Sequence, residues 1–123
     1  MEKKKILAID DDAVTLKLLK QHLSAGGYEV FTAENGVEGG MLAKTKMPNL
    51  ILLDIMMPGS DGGDVWRNIK EDPQTKDIPI IFLTGILSKQ EALDKGGVIG
   101  GKVFIAKPYG RKELLEAVTK NIA

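Results

Sequence analysis

Residues 5–12 read KILAIDDD, an apolar run that ends in three consecutive aspartates. Residues 13–25 follow, with Leu16, Leu19 and Leu23 spaced to lie on one face of a helix. Aspartate is a favoured residue at the start of a helix, so we expect Asp12 to cap this one. The stretch therefore predicts a β-strand, a turn rich in negative charge and an amphipathic helix, in that order.

The same alternation of strand and helix continues to the end of the chain. Continuously apolar runs such as PNLILLDI (48–55) and IPIIFLTG (78–85) are typical of parallel strands that are buried on both faces. Parallel strands need crossover connections, so the pattern predicts an α/β fold with one parallel sheet between layers of helices. The other predicted elements are strands over 5–10, 26–33 and 102–106 and helices over 13–25, 36–46, 62–71 and 88–96, with a final helix bearing Leu114, Leu115, Val118 and Ile122.

Two segments weaken this pattern through their glycines. Gly39 and Gly40 lie inside the helix predicted over 36–46, where glycine lowers helix stability. The segment DKGGVIGGKVF (94–104) carries four glycines before and at the start of the fifth strand. We expect a loop there, because glycine is the residue with the greatest backbone freedom.

Composition limits the possible functions. The chain has 123 residues, of which 43% are hydrophobic and 28% charged, and this fits one domain spanning residues 1–123. Seventeen basic and seventeen acidic residues give no net charge, so we expect no direct nucleic-acid partner and no membrane partner. The chain has no cysteine and a single histidine, which excludes disulfides and thiolate or histidine-rich metal sites. No leader or membrane-length apolar run is apparent, and we expect a cytoplasmic protein.

Reactive side chains fall at the ends of four predicted strands. Asp10 and Asp11 follow the first, Asp54 ends the third, Thr84 ends the fourth and Lys107 follows the fifth. The carboxyl ends of parallel strands share one edge of the sheet, so these five side chains should converge there. Three carboxylates with one lysine leave negative charge in excess, and oxygen ligands suit Mg²⁺. The sequence therefore predicts a magnesium site at this edge.

The motifs at these positions resemble those of a known family. They are IDDD (9–12), LLDIMMPGSDG (52–62), FLTG (82–85) and AKP (106–108), and the resemblance that they carry extends over essentially the whole chain. The chain resembles the receiver domain of bacterial two-component response regulators. The resemblance implies a flavodoxin-like (βα)5 sandwich with strand order 2-1-3-4-5.

The resemblance also implies a role for each residue of the metal site. Asp54 would be the phosphoacceptor, taking a phosphoryl group from a sensor histidine kinase or a phosphotransfer protein. Asp11 would be a direct Mg²⁺ ligand, Asp10 would act mainly through water, and the backbone carbonyl of Met56 would complete the protein's share of the metal shell. The expected protein is a signalling phosphoacceptor that assists its own phosphorylation and dephosphorylation, and it is not an enzyme in the ordinary sense.

Three further residues acquire roles from the same resemblance. Thr84 and Lys107 would contact the phosphoryl oxygens. Thr84 would also move in response to phosphorylation, and Phe104 on the fifth strand would change its packing with it. This switch would alter binding to a downstream output protein or domain.

Two other functions remain open on the sequence alone. Asp10 and Asp12 after an apolar strand also resemble the opening motif of haloacid-dehalogenase-type phosphatases, in which Asp10 would be the nucleophile and Asp12 the general acid. Alternatively, the chain could be a receiver-like scaffold that binds partners without being phosphorylated. The position of a trapped phosphoaspartate would separate the three hypotheses, because it would be Asp54, Asp10 or absent.

Overall fold

The computed structural model describes residues 3–57, 60–84, 98–99, 102–106 and 109–123. Each predicted strand and helix within these residues is present, and the helix predicted over 88–96 lies outside them. In chain order the elements are β1 (Lys5–Ile9), α1 (Ala13–Ala25), β2 (Glu29–Ala33), α2 (Gly36–Lys46), β3 (Leu50–Asp54), β4 (Met56–Met57), β5 (Ser60–Asp61), α3 (Gly62–Glu71), β6 (Ile80–Thr84), β7 (Val98–Ile99), β8 (Lys102–Ala106) and α4 (Arg111–Asn121).

The main sheet confirms the predicted order of parallel strands. Its strands lie in the order β2-β1-β3-β6-β8-β7, and the first five of these run parallel to one another. Counted as the five predicted strands, the order is 2-1-3-4-5, which is a flavodoxin-like arrangement. The sheet therefore places the ends of β1 and β3 side by side at its centre.

Two short antiparallel pairings were not predicted. In β7, Val98 pairs with Val103 and Ile99 with Lys102, so part of the glycine-rich segment that we expected to be a loop is an edge strand. Strands β4 and β5 form a separate antiparallel pair. Antiparallel neighbours can be joined by a tight turn instead of a crossover helix, so two residues are enough to form such a strand.

The core has one layer on each side of the sheet. One cluster packs β1, β3 and β6 against α1 and α4, and the other packs the same strands against α2 and α3. All five residues of β3 are buried, as expected for a parallel strand covered on both faces. The continuous apolar runs in the sequence therefore correspond to the central strands.

Helix α1 begins as the sequence predicts. The Asp12 carboxylate accepts hydrogen bonds from the Val14 amide at 2.9 Å and from the Thr15 hydroxyl at 3.1 Å, so it caps the first turn. Leu16, Leu19 and Leu23 are buried on the inner face. The cap fixes where the helix starts and directs the Asp12 side chain toward the helix.

Helix α2 forms despite its glycines, and one of them is needed for packing. A Cβ atom at Gly39 would lie 2.5 Å from Ile9 Cδ1 and 2.9 Å from Ile9 Cγ1, whereas a Cβ atom at Gly40 would meet nothing within 4 Å. The helix therefore approaches the end of β1 so closely that a side chain at position 39 would require Ile9 or the helix to shift. It ends at Lys46 and is capped by Met47, whose φ of 46° and ψ of 62° lie in the left-handed region.

None of the helices in the described part of the chain combines the length and apolar character needed to cross a membrane.

Candidate functional site

Three carboxylates meet at the carboxyl edge of the sheet. Asp10 follows β1 and Asp54 ends β3, and these strands are hydrogen-bonded neighbours. Oxygen atoms of Asp10, Asp11 and Asp54 all lie within 4.8 Å of one another. Asp10 and Asp54 are buried, with 1% and 6% of their surface exposed, and Asp11 is exposed to solvent. The site therefore has a buried acidic base and an open acidic side.

Hydrogen bonds with backbone groups hold Asp10 in place, and the carboxylates of Asp10 and Asp12 have different roles. The Asp10 amide donates to the Ala33 carbonyl at 3.1 Å, and Asp10 Oδ1 accepts the Asp12 amide at 3.0 Å. The Asp12 carboxylate instead caps α1 and does not belong to the three-carboxylate cluster. This arrangement does not favour Asp12 as the general acid of a haloacid-dehalogenase-type phosphatase.

Thr84 lies at the same edge as Asp54. It ends β6, where the preceding residue Leu83 is paired with Asp54, and 1% of its surface is exposed. Thr84 is in turn paired with Ala106 at the end of β8. The predicted site residue Lys107, which directly follows Ala106, lies outside the described residues.

The two other predicted site residues occupy different parts of this region. Met56 begins β4, two residues beyond Asp54, and the role of its carbonyl remains a prediction. The half-buried Phe104 ring stacks on Phe82, with the ring centroids 5.3 Å apart and the planes inclined by 24°. Phe104 thus packs against the core cluster that includes Phe82, on the side of the sheet covered by α2 and α3.

The structure places Tyr109 near the acidic cluster, a position that the sequence analysis did not predict. Its half-buried ring packs against the core cluster formed with α1 and α4. Burial, together with the charges of Asp10 and Asp54, raises the pKa of Tyr109 to about 12, so its hydroxyl keeps its proton beside the acidic cluster. The one available signal was its position two residues after Lys107, and an aromatic residue there is equally compatible with a purely structural role.

The donor set of this edge fits a hard divalent cation. All three clustered ligand groups are carboxylates, and carboxylate oxygens suit Mg²⁺ or Ca²⁺ better than they suit softer metals. The exposed position of Asp11 leaves one side of the cluster accessible from solvent. Asp10, Asp11 and Asp54 are therefore the residues that could hold Mg²⁺ while leaving room for a second ligand.

Comparison with known proteins shows a consistent relationship. Residues 6–119 match the family model of the response regulator receiver domain. A probable transcriptional regulator, ycf27 of Porphyridium aerugineum, is 39% identical over 114 residues, which cover 93% of this chain and 46% of that protein. The chain thus spans about half the length of this curated relative.

Solved structures agree with the sequence relatives. The chemotaxis protein CheY4 of Vibrio cholerae superposes with a TM-score of 0.83 at 28% identity, covering 97% of this chain and 98% of that one. The receiver domain of the sensor histidine kinase PA1611 from Pseudomonas aeruginosa gives a TM-score of 0.82 at 25% identity, with 97% of each chain covered. That structure has a magnesium ion coordinated in its active site cleft.

Proposed function

Because this chain belongs to the response regulator receiver domain family of two-component systems, we propose that it works by accepting a phosphoryl group on Asp54. The observation that carries the proposal is the placement of Asp54. Asp54 is the last residue of a central strand, and its carboxylate lies within 4.8 Å of the Asp10 and Asp11 carboxylates. We further propose that residues 1–123 act as a single receiver unit.

The reaction requires little from the protein beyond placement and charge. An Asp54 carboxylate oxygen attacks the phosphorus of a phosphohistidine, a P–O bond forms, and the P–N bond breaks as the imidazole leaves and takes up a proton. Negative charge develops on the phosphoryl oxygens as this happens. Bound Mg²⁺, held by Asp10, Asp11, Asp54 and the Met56 carbonyl, would supply positive charge to stabilise it.

Three other residues complete the proposal. The Thr84 hydroxyl and the Lys107 ammonium group contact the phosphoryl oxygens, and the buried position of Thr84 beside the strand partner of Asp54 supports this role. Thr84 then moves toward the phosphoryl group, and Phe104 changes its packing on Phe82. The changed surface alters binding to an output protein or domain.

The expected partners follow from this role. A sensor histidine kinase or a phosphotransfer protein supplies the phosphoryl group, and an output protein or domain reads the result. Several relatives are named as transcriptional regulators. For this chain we propose no direct contact with nucleic acid. We also propose that it is a signalling phosphoacceptor that assists its own phosphorylation and dephosphorylation, and that it is not an enzyme.

The test is phosphorylation by acetyl phosphate in the presence of Mg²⁺, followed by intact-mass measurement and peptide mapping. We expect one phosphoryl group on Asp54, no labelling of Asp54→Ala, and no labelling in excess chelator. Asp11→Ala should weaken Mg²⁺ binding far more than the matched variant Asp12→Ala, because Asp12 is committed to capping α1. Labelling at Asp10 would favour the phosphatase hypothesis, and a folded protein that is never labelled would favour the scaffold hypothesis.

A further inference from the structure

A groove of about 450 Å³ lies between α2 and α3, lined by residues of both helices. It exists because α2 has glycine at positions 36 and 40, one helical turn apart, where longer side chains would fill the space beside α3. The buried side chains of Val65 and Ile69 line it from α3. None of the three clustered carboxylates lines this groove, and neither does Thr84.

Two apolar side chains stand beside the groove and are largely exposed. Val37 has 76% of its surface exposed and Met41 has 64%, and they lie one turn apart on α2. Both also line the groove. The same face therefore carries protruding apolar side chains and a depression next to them, and an exposed apolar patch of this kind is a common feature of interaction sites.

The charges on α2 are arranged with opposite signs at its two ends. Glu34 precedes the helix and Glu38 lies in its first turn, and Lys44 and Lys46 lie in its last turn. Within the chain, Lys44 pairs with Asp72 and the Lys46 ammonium group lies 5.3 Å from the centre of the Phe31 ring. All four are exposed. An identical helix running antiparallel would place its basic end beside the acidic start of this one, and the opposed helix dipoles would add to the attraction.

We propose that the groove is occupied by a second copy of this chain, with two α2 helices packed antiparallel about a two-fold axis. Each copy lays Val37 and Met41 against the groove of the other. A two-fold interface must be complementary to itself, and this surface provides both the projecting and the receiving parts as well as both signs of charge. The contact area of one short helix pair is below that of standard stable interfaces, so the dimer is weak and dependent on concentration.

The absence of cysteine permits a direct test of this contact. Met41→Cys should form a disulfide-linked dimer readily under mild oxidation, because the two copies of position 41 lie near the axis. Leu18→Cys, at a comparably exposed apolar position on α1, is the matched control and should form far less. Equal yields from the two variants would overturn the proposal.

Sedimentation over a range of protein concentrations gives an independent measurement. Met41→Lys should weaken the dimer about tenfold or more, because it places two like charges near the axis, whereas Leu18→Lys should leave it unchanged. Glu38→Lys and Lys44→Glu should each weaken the dimer, and their combination should restore it. Circular dichroism checks the fold of each variant, since Lys44 also pairs with Asp72 at 3.0 Å.

Three results would refute the dimer. They are a protein that stays monomeric at every concentration, a dimer that Met41→Lys leaves intact, and a charge-swapped double variant that dimerises no more strongly than the two single variants. A monomer would mean that the groove takes another helix or remains open to solvent. Failure of this proposal would leave the phosphorylation of Asp54 unaffected, since the two use different residues and different assays.

Discussion

Replacing Gly39 by alanine is expected to destabilise the fold, whereas the same replacement at the next residue, Gly40, is expected to stabilise it. Each substitution gains about 0.5–1 kcal/mol, because alanine loses less backbone freedom than glycine when it enters a helix. At Gly40 the new methyl group meets nothing within 4 Å, so the gain should be observed in full.

At Gly39 the gain is opposed by a collision with a buried neighbour. The added carbon would lie 2.5 Å from Ile9 Cδ1 and 2.9 Å from Cγ1, and Ile9 is completely buried in the central strand. A β-branched side chain has little freedom to turn away, and forcing an extra methyl group into a packed core costs about 1–3 kcal/mol. Since the helix gain is common to both variants, this cost is also the expected difference in stability between them.

Urea denaturation of dilute protein, followed by circular dichroism, measures that difference. Dilute protein is needed because Gly40 also lines the proposed dimer groove. Adding Ile9→Val to Gly39→Ala removes the closest atom, so the double variant should be more stable than the sum of the two single effects predicts. Equal stability of Gly39→Ala and Gly40→Ala would show that the helix can move away from β1 and that the close approach is not required.

Three further outcomes can be measured on the same protein. Asp12→Ala should lower the free energy of unfolding by about 1 kcal/mol through loss of the α1 cap, and Asp12→Asn should lose much less; equal losses would contradict the cap. Met47→Gly should raise stability by up to about 1 kcal/mol, because glycine adopts the left-handed conformation without strain, while Met47→Ala should give no such gain. Because the native state holds the Tyr109 proton more tightly, the raised pKa of Tyr109 adds to the free energy of unfolding. This contribution is fully present below pH 10 and declines as the pH rises from about 10 to about 12. In a Tyr28→Phe background, which leaves Tyr109 as the sole tyrosine, Asp54→Asn should lower that pKa in a tyrosinate absorbance titration, and an unchanged titration would show that the Asp54 charge does not reach the ring.

The parts of the fold that depend on local signals were predicted well. The bounds of α1, α2 and α3 agree with the predicted ranges, and the cap at Asp12 is where the run of aspartates placed it. The acidic cluster was also predicted, because parallel strands necessarily end at one edge and Asp10 and Asp54 follow neighbouring strands. For these features sequence order is enough to determine which side chains meet.

Features that depend on contacts distant in the chain were not predicted. Gly39 weakened the helix prediction. Its role in packing depends on Ile9, which is thirty residues away in sequence and lies against Gly39 in the fold. The placement of Tyr109 near Asp10 and Asp54 depends on contacts with the ends of β1 and β3, which are distant from it in the chain. Strand β7 has two residues, too few for any alternation of apolar and polar side chains to be recognised.

The acidic cluster also has a consequence for how long the protein survives. Gathering Asp10, Asp11 and Asp54 within 4.8 Å of one another, with two of them buried, opposes folding through repulsion and loss of hydration. A cation that binds this cluster only in the native state raises stability by an amount that grows with its concentration. Depletion of such a cation should therefore increase the share of unfolded chains exposed to proteases, so the abundance of the protein in a cell would follow the supply of that cation as well as the rate of synthesis.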